Sequence, residues 1–390
     1  MNDTETRLRD YLHTKAGTVP DSAHGPGLEL DSTSTSTRRG WMPMALAAAG
    51  IAVVLTMAVP LLSSLTKHDE PSVAGLPAMG PVSDGAPRIP YAVTVENNPN
   101  NPLDTWWAVL HDGGKTVRNP GVKGGVLARV DGGWLVDTGY PDPKKSQAAV
   151  VSADGKVRPI GPLGAGPGWV SPDGRQVAVA LSTYGQPTGR VVVIDVKSGK
   201  ETSSITVRTR NLELFGWNKD GIWMNEHGLN PGPATVWRPG SKDTRTVKID
   251  ELQPDVERGT GTIAMSTTAD GKKFCAKAAT LGANGLEVKR EYCYQPKTSR
   301  SPYLTMSPDG ATMVSSAGFA VDVASGKVTE LKLPAKSTWA GAGVFEDPDN
   351  VVLVDDAKAA QKIFRCSVVT GECKQIAVGK ADESIALVKP

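Results

Sequence analysis

The chain has 390 residues and a mass of 41.0 kDa, enough for one large domain or two ordinary ones. Its 22% charged and 39% hydrophobic residues exclude a disordered chain. With 43 Lys plus Arg against 41 Asp plus Glu, the net charge of +2 excludes bulk electrostatic attraction to nucleic acid, and no nucleic-acid partner is expected. Many Gly (42) and Pro (29) residues without a collagen period point to short strands and frequent turns.

Residues 1–40 read as a tail. Leu8, Tyr11 and Leu12 sit at i, i+3 and i+4, which allows a small amphipathic helix over 3–16, too short to be stable alone. Ser32–Thr37 alternates Ser and Thr and reads as a flexible linker. From Trp41 to Leu65 there is no charged residue. Met44–Leu65 at 1.5 Å per residue spans about 33 Å, enough for a hydrocarbon core of ~30 Å. A cleaved signal peptide is the rival reading. It fits poorly, because some forty polar residues come first and the apolar run exceeds the usual h-region. Residues 41–65 are therefore expected to be a retained transmembrane anchor. Arg38 and Arg39 precede it, whereas Lys67 is followed by Asp69 and Glu70. The positive-inside rule puts the N-terminus in the cytoplasm and residues 66–390 outside the plasma membrane. Residues 66–83 form a second linker.

From residue 84 onward a turn mark recurs: Asp84-Gly85, Asp131-Gly132, Asp173-Gly174, Asp220-Gly221, Asp270-Gly271, Asp309-Gly310 and Asp349-Asn350. Successive Asp residues are 47, 42, 47, 50, 39 and 40 apart. A four-stranded propeller blade takes ~40–45 residues, so the spacing predicts a β-propeller. A second mark follows in most units, at Asp112-Gly113, Asp154-Gly155, Ser198-Gly199, Ser325-Gly326 and Thr370-Gly371.

Residues 168–207 form the clearest unit: Trp169-Val170 ends a first strand, Ser171–Gly174 turns, and Arg175–Leu181 is a second strand. Arg190–Val196, nearly continuous in Val and Ile, is a third strand buried on both faces, and a polar outer strand follows. The Ser-Pro-Asp-Gly start repeats at 307–310, and Asp-Val-x-Ser-Gly-Lys occurs at 195–200 and 322–327. This pattern resembles the WD40-like repeat of TolB-type β-propellers. The full layout is similar to a group of actinobacterial membrane-anchored propeller proteins. The resemblance implies a fold and a place, and no activity.

Seven marks predict seven blades in an all-β domain, 84–390, with a six-bladed ring as the alternative. Residues 86–118 supply only three strands, so the first blade needs a fourth from Glu383–Val388, a closure that removes an exposed sheet edge.

Four cysteines lie in this domain. Cys275 and Cys293 are symmetric about the Gly282–Gly285 turn, and Cys366 and Cys373 flank Thr370-Gly371. Both pairs suit cross-strand disulfides in an oxidising compartment. No CxxC spacing occurs, and no metal or cofactor is expected.

No GxSxG elbow, HExxH helix or Walker loop is present. Arg88-Ile89-Pro90 matches a sialidase element, but the Asp-box pattern is missing and a strand start is the better account. Glu346, Asp347, Asp349, Asp355 and Asp356 lack a DxDxDG run and read as acids at solvated turns. The loops expected on one face are long and rich in Pro, Gly and Asn: Glu96–Asp104, Thr138–Ser146, Ser182–Gly189, Asn225–Ala234 and Gly161–Gly168. Binding residues concentrate on such loops, so Tyr140, Tyr184, Arg208, Arg210, Glu226 and His227 are the candidate partner-binding residues. Trp134, Trp169, Trp217 and Trp223 fall at strand positions and are expected in the core.

The expectation is a membrane-tethered, extracytoplasmic, non-catalytic propeller that binds or senses a protein or cell-envelope partner. The alternatives are a propeller glycosidase or lyase acting on envelope carbohydrate, and a signalling subunit whose tail holds a cytoplasmic regulator.

Overall fold

The apolar runs between the turn marks become strands because each is buried on one or both faces of a sheet. A computed structural model describes residues 85–390 apart from 97–104, 139–143, 182–185, 210, 227–231, 250–251, 270–272, 296–302, 335–342, 356–359 and 381–382. The tail, the 41–65 span and the 66–83 linker lie outside the described residues. Among the described residues no helix is long and apolar enough to cross a membrane.

The strands form seven four-stranded antiparallel sheets, the blades of a β-propeller. Blades 2 to 7 begin at Val126, Trp169, Leu212, Leu252, Leu304 and Val344, each running from an innermost first strand to an outermost fourth. Blade 1 is composite: its innermost strand, Glu383–Leu387, pairs with Tyr91–Glu96, with Leu387 opposite Tyr91. The ring is thus seven-bladed and closed by the segment that the strand count required.

Neighbouring blades share their cores. In the third strand of blade 3, Gly189–Asp195, Val192 and Ile194 pack with Leu135 and Val150 of blade 2. The alternate residues Val191 and Val193 pack with Trp217, Ile222 and Trp237 of blade 4. A pleated strand points successive side chains to opposite faces, so this Val/Ile run is buried between two neighbours. Trp134, Trp217 and Trp223 are buried as expected, and Trp169 is half-buried.

All first-to-second and third-to-fourth strand turns open on one face. The Ser-Pro-Asp-Gly turns repeat atom for atom. The Ser171 hydroxyl donates to Asp173 Oδ1 at 2.6 Å and accepts from the Gln176 amide at 2.9 Å. Ser307 does the same with Asp309 and Thr312, at 2.5 and 2.8 Å. Gly174 and Gly310 hold φ of 73° and 69°, a region that side chains disfavour. The Asp-Val-x-Ser-Gly-Lys turns are held by Asp195 and Asp322, each accepting the amide and hydroxyl of the Ser three residues on. The recurring motifs are turn chemistry.

Two of the seven marks do not join a first strand to a second: Asp84-Gly85 precedes blade 1, whose first strand is Glu383–Leu387, and the other is in blade 5. Asp270-Gly271 falls outside the described residues, in sequence between Thr262–Ala269 and Lys273–Gly282, the second and third strands of blade 5, and so not between a first strand and a second. The first-to-second turn of blade 5 spans 257–261. Asp-Gly closes a hairpin equally well at either end of a blade, so the dipeptide alone could not choose.

A side-chain clamp recurs between neighbours on the outer rim. Arg158, on the fourth strand of blade 2, donates to the Val196 carbonyl of blade 3 at 2.5 Å. Arg245 of blade 4 reaches the Gly282 and Ala283 carbonyls of blade 5. Arg290 of blade 5 reaches the Val323 and Ala324 carbonyls of blade 6. In each case the acceptors belong to the third-to-fourth strand turn of the following blade.

Both disulfides form as predicted, Cys275–Cys293 and Cys366–Cys373, each joining third and fourth strands within one blade. Among the described residues there are no free cysteines.

The acidic group of blade 7 requires a correction. Glu346, Asp347 and Asp355 are buried rather than solvated, and Asp356 lies outside the described residues. Arg365, 2% exposed, forms a two-pronged pair with Glu346 through Nε–Oε2 at 2.5 Å and Nη2–Oε1 at 3.0 Å. Its remaining donors reach the Gly85 and Ala86 carbonyls at 3.1 and 3.0 Å. The Arg88 amide donates to Glu346 at 2.7 Å and its guanidinium to Asp347 at 2.5 Å. Buried carboxylates persist where paired and hydrogen-bonded. This cluster fastens the lead-in segment to blade 7, and Ile89, fully buried, starts the first blade.

Candidate functional site

The second-to-third strand loops and the blade-to-blade links open on the face opposite the tight turns. There, blades 3 and 4 meet at a shallow open groove of about 350 Å³, lined by Pro187, Arg208, Thr209 and Glu226. Three elements place the four lining residues. Pro187 follows the second strand of blade 3. Arg208 and Thr209 link Glu201–Val207, the outermost strand of blade 3, to Leu212–Asn218, the innermost strand of blade 4. Glu226 ends the second strand of blade 4 and pairs with Leu212.

Local sequence makes this crossing tight. Asn211 adopts φ of +49°, and Asn is among the few residues that enter the left-handed region readily. A Cβ on Gly189 would lie 2.6 Å from Leu212 Cβ, so only Gly lets the third strand of blade 3 approach blade 4. The result sets Thr209 beside Glu226, its hydroxyl donating to Oε2 at 3.4 Å. Arg208 and Pro187 are exposed, and Thr209 and Glu226 half-buried. The buried Oδ1 of Asn225, next to Glu226, has no hydrogen-bond partner. The groove therefore presents a cation, a carboxylate, a hydroxyl and an apolar ring, a set suited to hydrogen-bonded recognition.

Of the six predicted binding residues, the structure brings Arg208 and Glu226 into this one groove. Tyr140, Tyr184, Arg210 and His227 lie outside the described residues. The loop after Glu226 is shorter than predicted, since the third strand of blade 4 already begins at Gly232. Sequence reasoning missed Pro187 and Thr209. Their signal was position alone, within the predicted loop and between the two arginines.

Other ionisable groups fall elsewhere. Asp137 lies on Gly133–Thr138, the second strand of blade 2. Burial pushes its carboxyl up, and the Ser146 hydroxyl, donating at 2.6 Å, pulls it partly back. The pair ties the second strand of blade 2 to the start of its third, Gln147–Val151. His111 stacks on Tyr91 with ring centroids 4.8 Å apart, on the tight-turn face. Burial draws its imidazole below the ordinary value, while Glu383 acts in the opposite sense. Among the described residues, the group of possible metal ligands is Cys275, Glu291 and Cys293, whose two sulfurs are joined in a disulfide. A second groove, about 580 Å³, lies between Arg245 and Lys248 of blade 4 and Asn284 and Leu286 of blade 5. It is a by-product of the rim clamp, since the Arg245 guanidinium is committed to main-chain carbonyls there.

No protein-family profile matches the chain, and no curated protein matches it by sequence. Solved structures do resemble it. A candidate 6-phosphogluconolactonase from Bacteroides fragilis shares 11% identity at a TM-score of 0.51, over 79% of this chain and 100% of that one. An acylaminoacyl peptidase shares 10% at 0.51, over 74% of this chain and 50% of that one. TolB from Acinetobacter baumannii shares 12% at 0.43, over 77% and 67%. At such identities the likeness speaks to fold alone, because one propeller scaffold hosts unrelated functions.

Proposed function

We propose that the chain is a membrane-tethered, extracytoplasmic binding module that captures a protein or cell-envelope partner through the long-loop face and performs no catalysis. The observation that supports this is the convergence of Arg208 and Glu226, two residues picked out by loop logic alone, in one groove between blades 3 and 4. Tyr184, Arg210 and His227 neighbour the groove residues in sequence and lie outside the described residues. The groove is open and polar, which suits a segment of a larger partner better than an enclosed small molecule. The lead-in residues 85–90 join blade 1 at the tight-turn end of its second strand. A tether attached there leaves the long-loop face unobstructed.

A photocrosslinking residue at Pro187, introduced into the full chain in intact cells, tests the reading. It should capture a discrete partner, and Arg208→Ala with Glu226→Ala should reduce capture at least about tenfold, as losing two interface polar anchors would. A probe at Lys200, on the opposite face, should capture nothing. Equal capture from Lys200 would show that the wrong face was chosen. For the anchor, reporters fused after Thr37 and after Pro390 should report cytoplasm and exterior. Recovery of a mature chain starting between residues 66 and 80 would rule out a retained span.

A further inference from the structure

In blades 2 to 7 a turn joins the first strand to the second. In blade 1 these strands come from distant parts of the sequence, Glu383–Leu387 and Tyr91–Glu96, and no turn joins them. The innermost strand also has a strand partner on one edge only, since it lines the central axis, and outside that pairing the Ile385 amide donates to Gln361 Oε1 of blade 7 at 2.5 Å. Ser384 and Ala386 on it are exposed. Something other than covalent continuity has to hold its tight-turn end.

Residues 388–390 supply that hold, with direct partners drawn from four blades and a fifth reached through Asp255. Val388 is fully buried and its amide donates to Pro90 of blade 1 at 2.9 Å. The Lys389 carbonyl accepts from the Arg129 amide of blade 2 at 3.0 Å, extending a parallel bridge to Ala128. The Lys389 side chain reaches blade 5, where Nζ lies 2.7 Å from Asp255 Oδ1. On the way it passes 5.4 Å from the Trp169 ring of blade 3, within cation–π range. Asp255 Oδ2 in turn accepts from the Met306 amide of blade 6 at 3.1 Å. Arg258 of blade 5 donates to the Ser171 carbonyl of blade 3 at 2.6 Å and to the Pro390 oxygen. Blades 1, 3 and 5 are not neighbours in the ring, so Lys389 and Arg258 lie across its axis.

We infer that residues 388–390, with Asp255 and Arg258, form a latch that replaces the absent first-to-second turn of blade 1 and keeps the ring shut. The strand pairing aligns Glu383–Leu387; the latch decides how readily it comes off. Opening of this strand is then a local event with its own free energy, separable from global unfolding.

Hydrogen exchange read by mass spectrometry on the full chain tests the latch. Peptides covering 383–390 should exchange about tenfold faster or more in Lys389→Met, Asp255→Asn and Arg258→Met, as loss of a local closing contact predicts. Peptides covering 176–195 of blade 3 should stay at the wild-type rate. Lys389→Met with Asp255→Asn should be no faster than the quicker single variant, because both remove one interaction. Lys389→Arg keeps the charge and should exchange like wild type. Unchanged exchange at 383–390 in all three single variants overturns the proposal. So does equal acceleration in every blade, which would make these residues ordinary contributors to global stability. If Lys389→Met folds poorly, the Asp255→Asn and Lys389→Arg pair decides the question alone.

Discussion

Replacing Arg365 with Met strands a buried carboxylate, and the structure sets the scale of the loss. Glu346 is wholly buried and takes two hydrogen bonds from Arg365. Breaking a buried ion pair by removing one partner costs about 3–5 kcal/mol, because the remaining charge has neither water nor counter-ion. Here Glu346 keeps the Arg88 amide at 2.7 Å and the Arg88 guanidinium at 3.6 Å. That retained company places the expected loss near the lower end, at about 3 kcal/mol. For a domain of this size each kcal/mol moves the midpoint by roughly 2–3 °C, so the melting temperature should fall by about 6–9 °C. The Gly85 and Ala86 carbonyls lose their donors in the same variant, so cleavage of the lead-in segment under limited proteolysis should quicken. The decisive measurement is the double variant Arg365→Met with Glu346→Leu. It removes both charges and should recover at least half of the lost stability, since replacing both members of a buried pair is often nearly neutral. Thermal unfolding followed by circular dichroism reads both variants. A double variant no more stable than the single would refute the argument that a stranded charge is what costs.

Non-reducing peptide mapping should recover Cys275 linked to Cys293 and Cys366 linked to Cys373, and urea unfolding should show each bridge worth up to about 3 and 2.5 kcal/mol by loop-closure entropy. Asp137 tests the pH dependence. Its folded carboxyl is raised by burial, so the native state holds its proton more tightly than the unfolded chain and stability from this group declines as pH rises. Asp137→Asn should therefore exceed wild type in urea midpoint at pH 7, with the advantage shrinking as pH falls to the ordinary carboxylate range. Asp322, lowered by Ser325, should behave oppositely, with its contribution present at neutral pH and lost on acidification. Two glycines give a last contrast: Gly371, at φ of 75°, would place a Cβ 2.1 Å from the Glu330 carbonyl, whereas Gly240, at 87°, has open space. Gly240→Ala should cost about 1–2 kcal/mol for backbone strain alone, and Gly371→Ala clearly more, as measured by thermal unfolding.

Local chemistry made the fold legible. Ser-Pro-Asp-Gly and Asp-x-x-Ser-Gly-Lys are self-contained turns whose bonds run within five residues, so the sequence displays them directly. The one-strand deficit in blade 1 and the symmetry of Cys275 and Cys293 about their turn were likewise countable. Arrangements that depend on distant partners were not. Glu346 and Asp347 sit beside a turn and read as solvated until Arg365 and Arg88 arrive from elsewhere in the fold. Lys389 and Asp255 are 134 residues apart, and no spacing rule connects them. The groove was half legible: the long loop 225–234 held Glu226 and the predicted long-loop face took in Arg208, but the closeness of blades 3 and 4 that unites them rests on Gly189 meeting Leu212.

The rim clamps set how the ring tolerates change. Arg158, Arg245 and Arg290 each grip main-chain carbonyls of the next blade, and every residue type supplies a carbonyl. A third-to-fourth turn can therefore exchange the side chains that do not set its own shape, leaving Asp195, Ser198 and Gly199 or Asp322, Ser325 and Gly326 in place, or carry a grafted recognition sequence of the same length and backbone shape, without loosening its grip on the blade before it. The arginine itself has no such freedom, because a lysine presents a point charge in place of a planar fork, which at Arg245 and Arg290 reaches two carbonyls at once. Engineering that adds binding function to the tight-turn face has the turns of blades 3, 5 and 6 available to it, provided these three arginines are left in place.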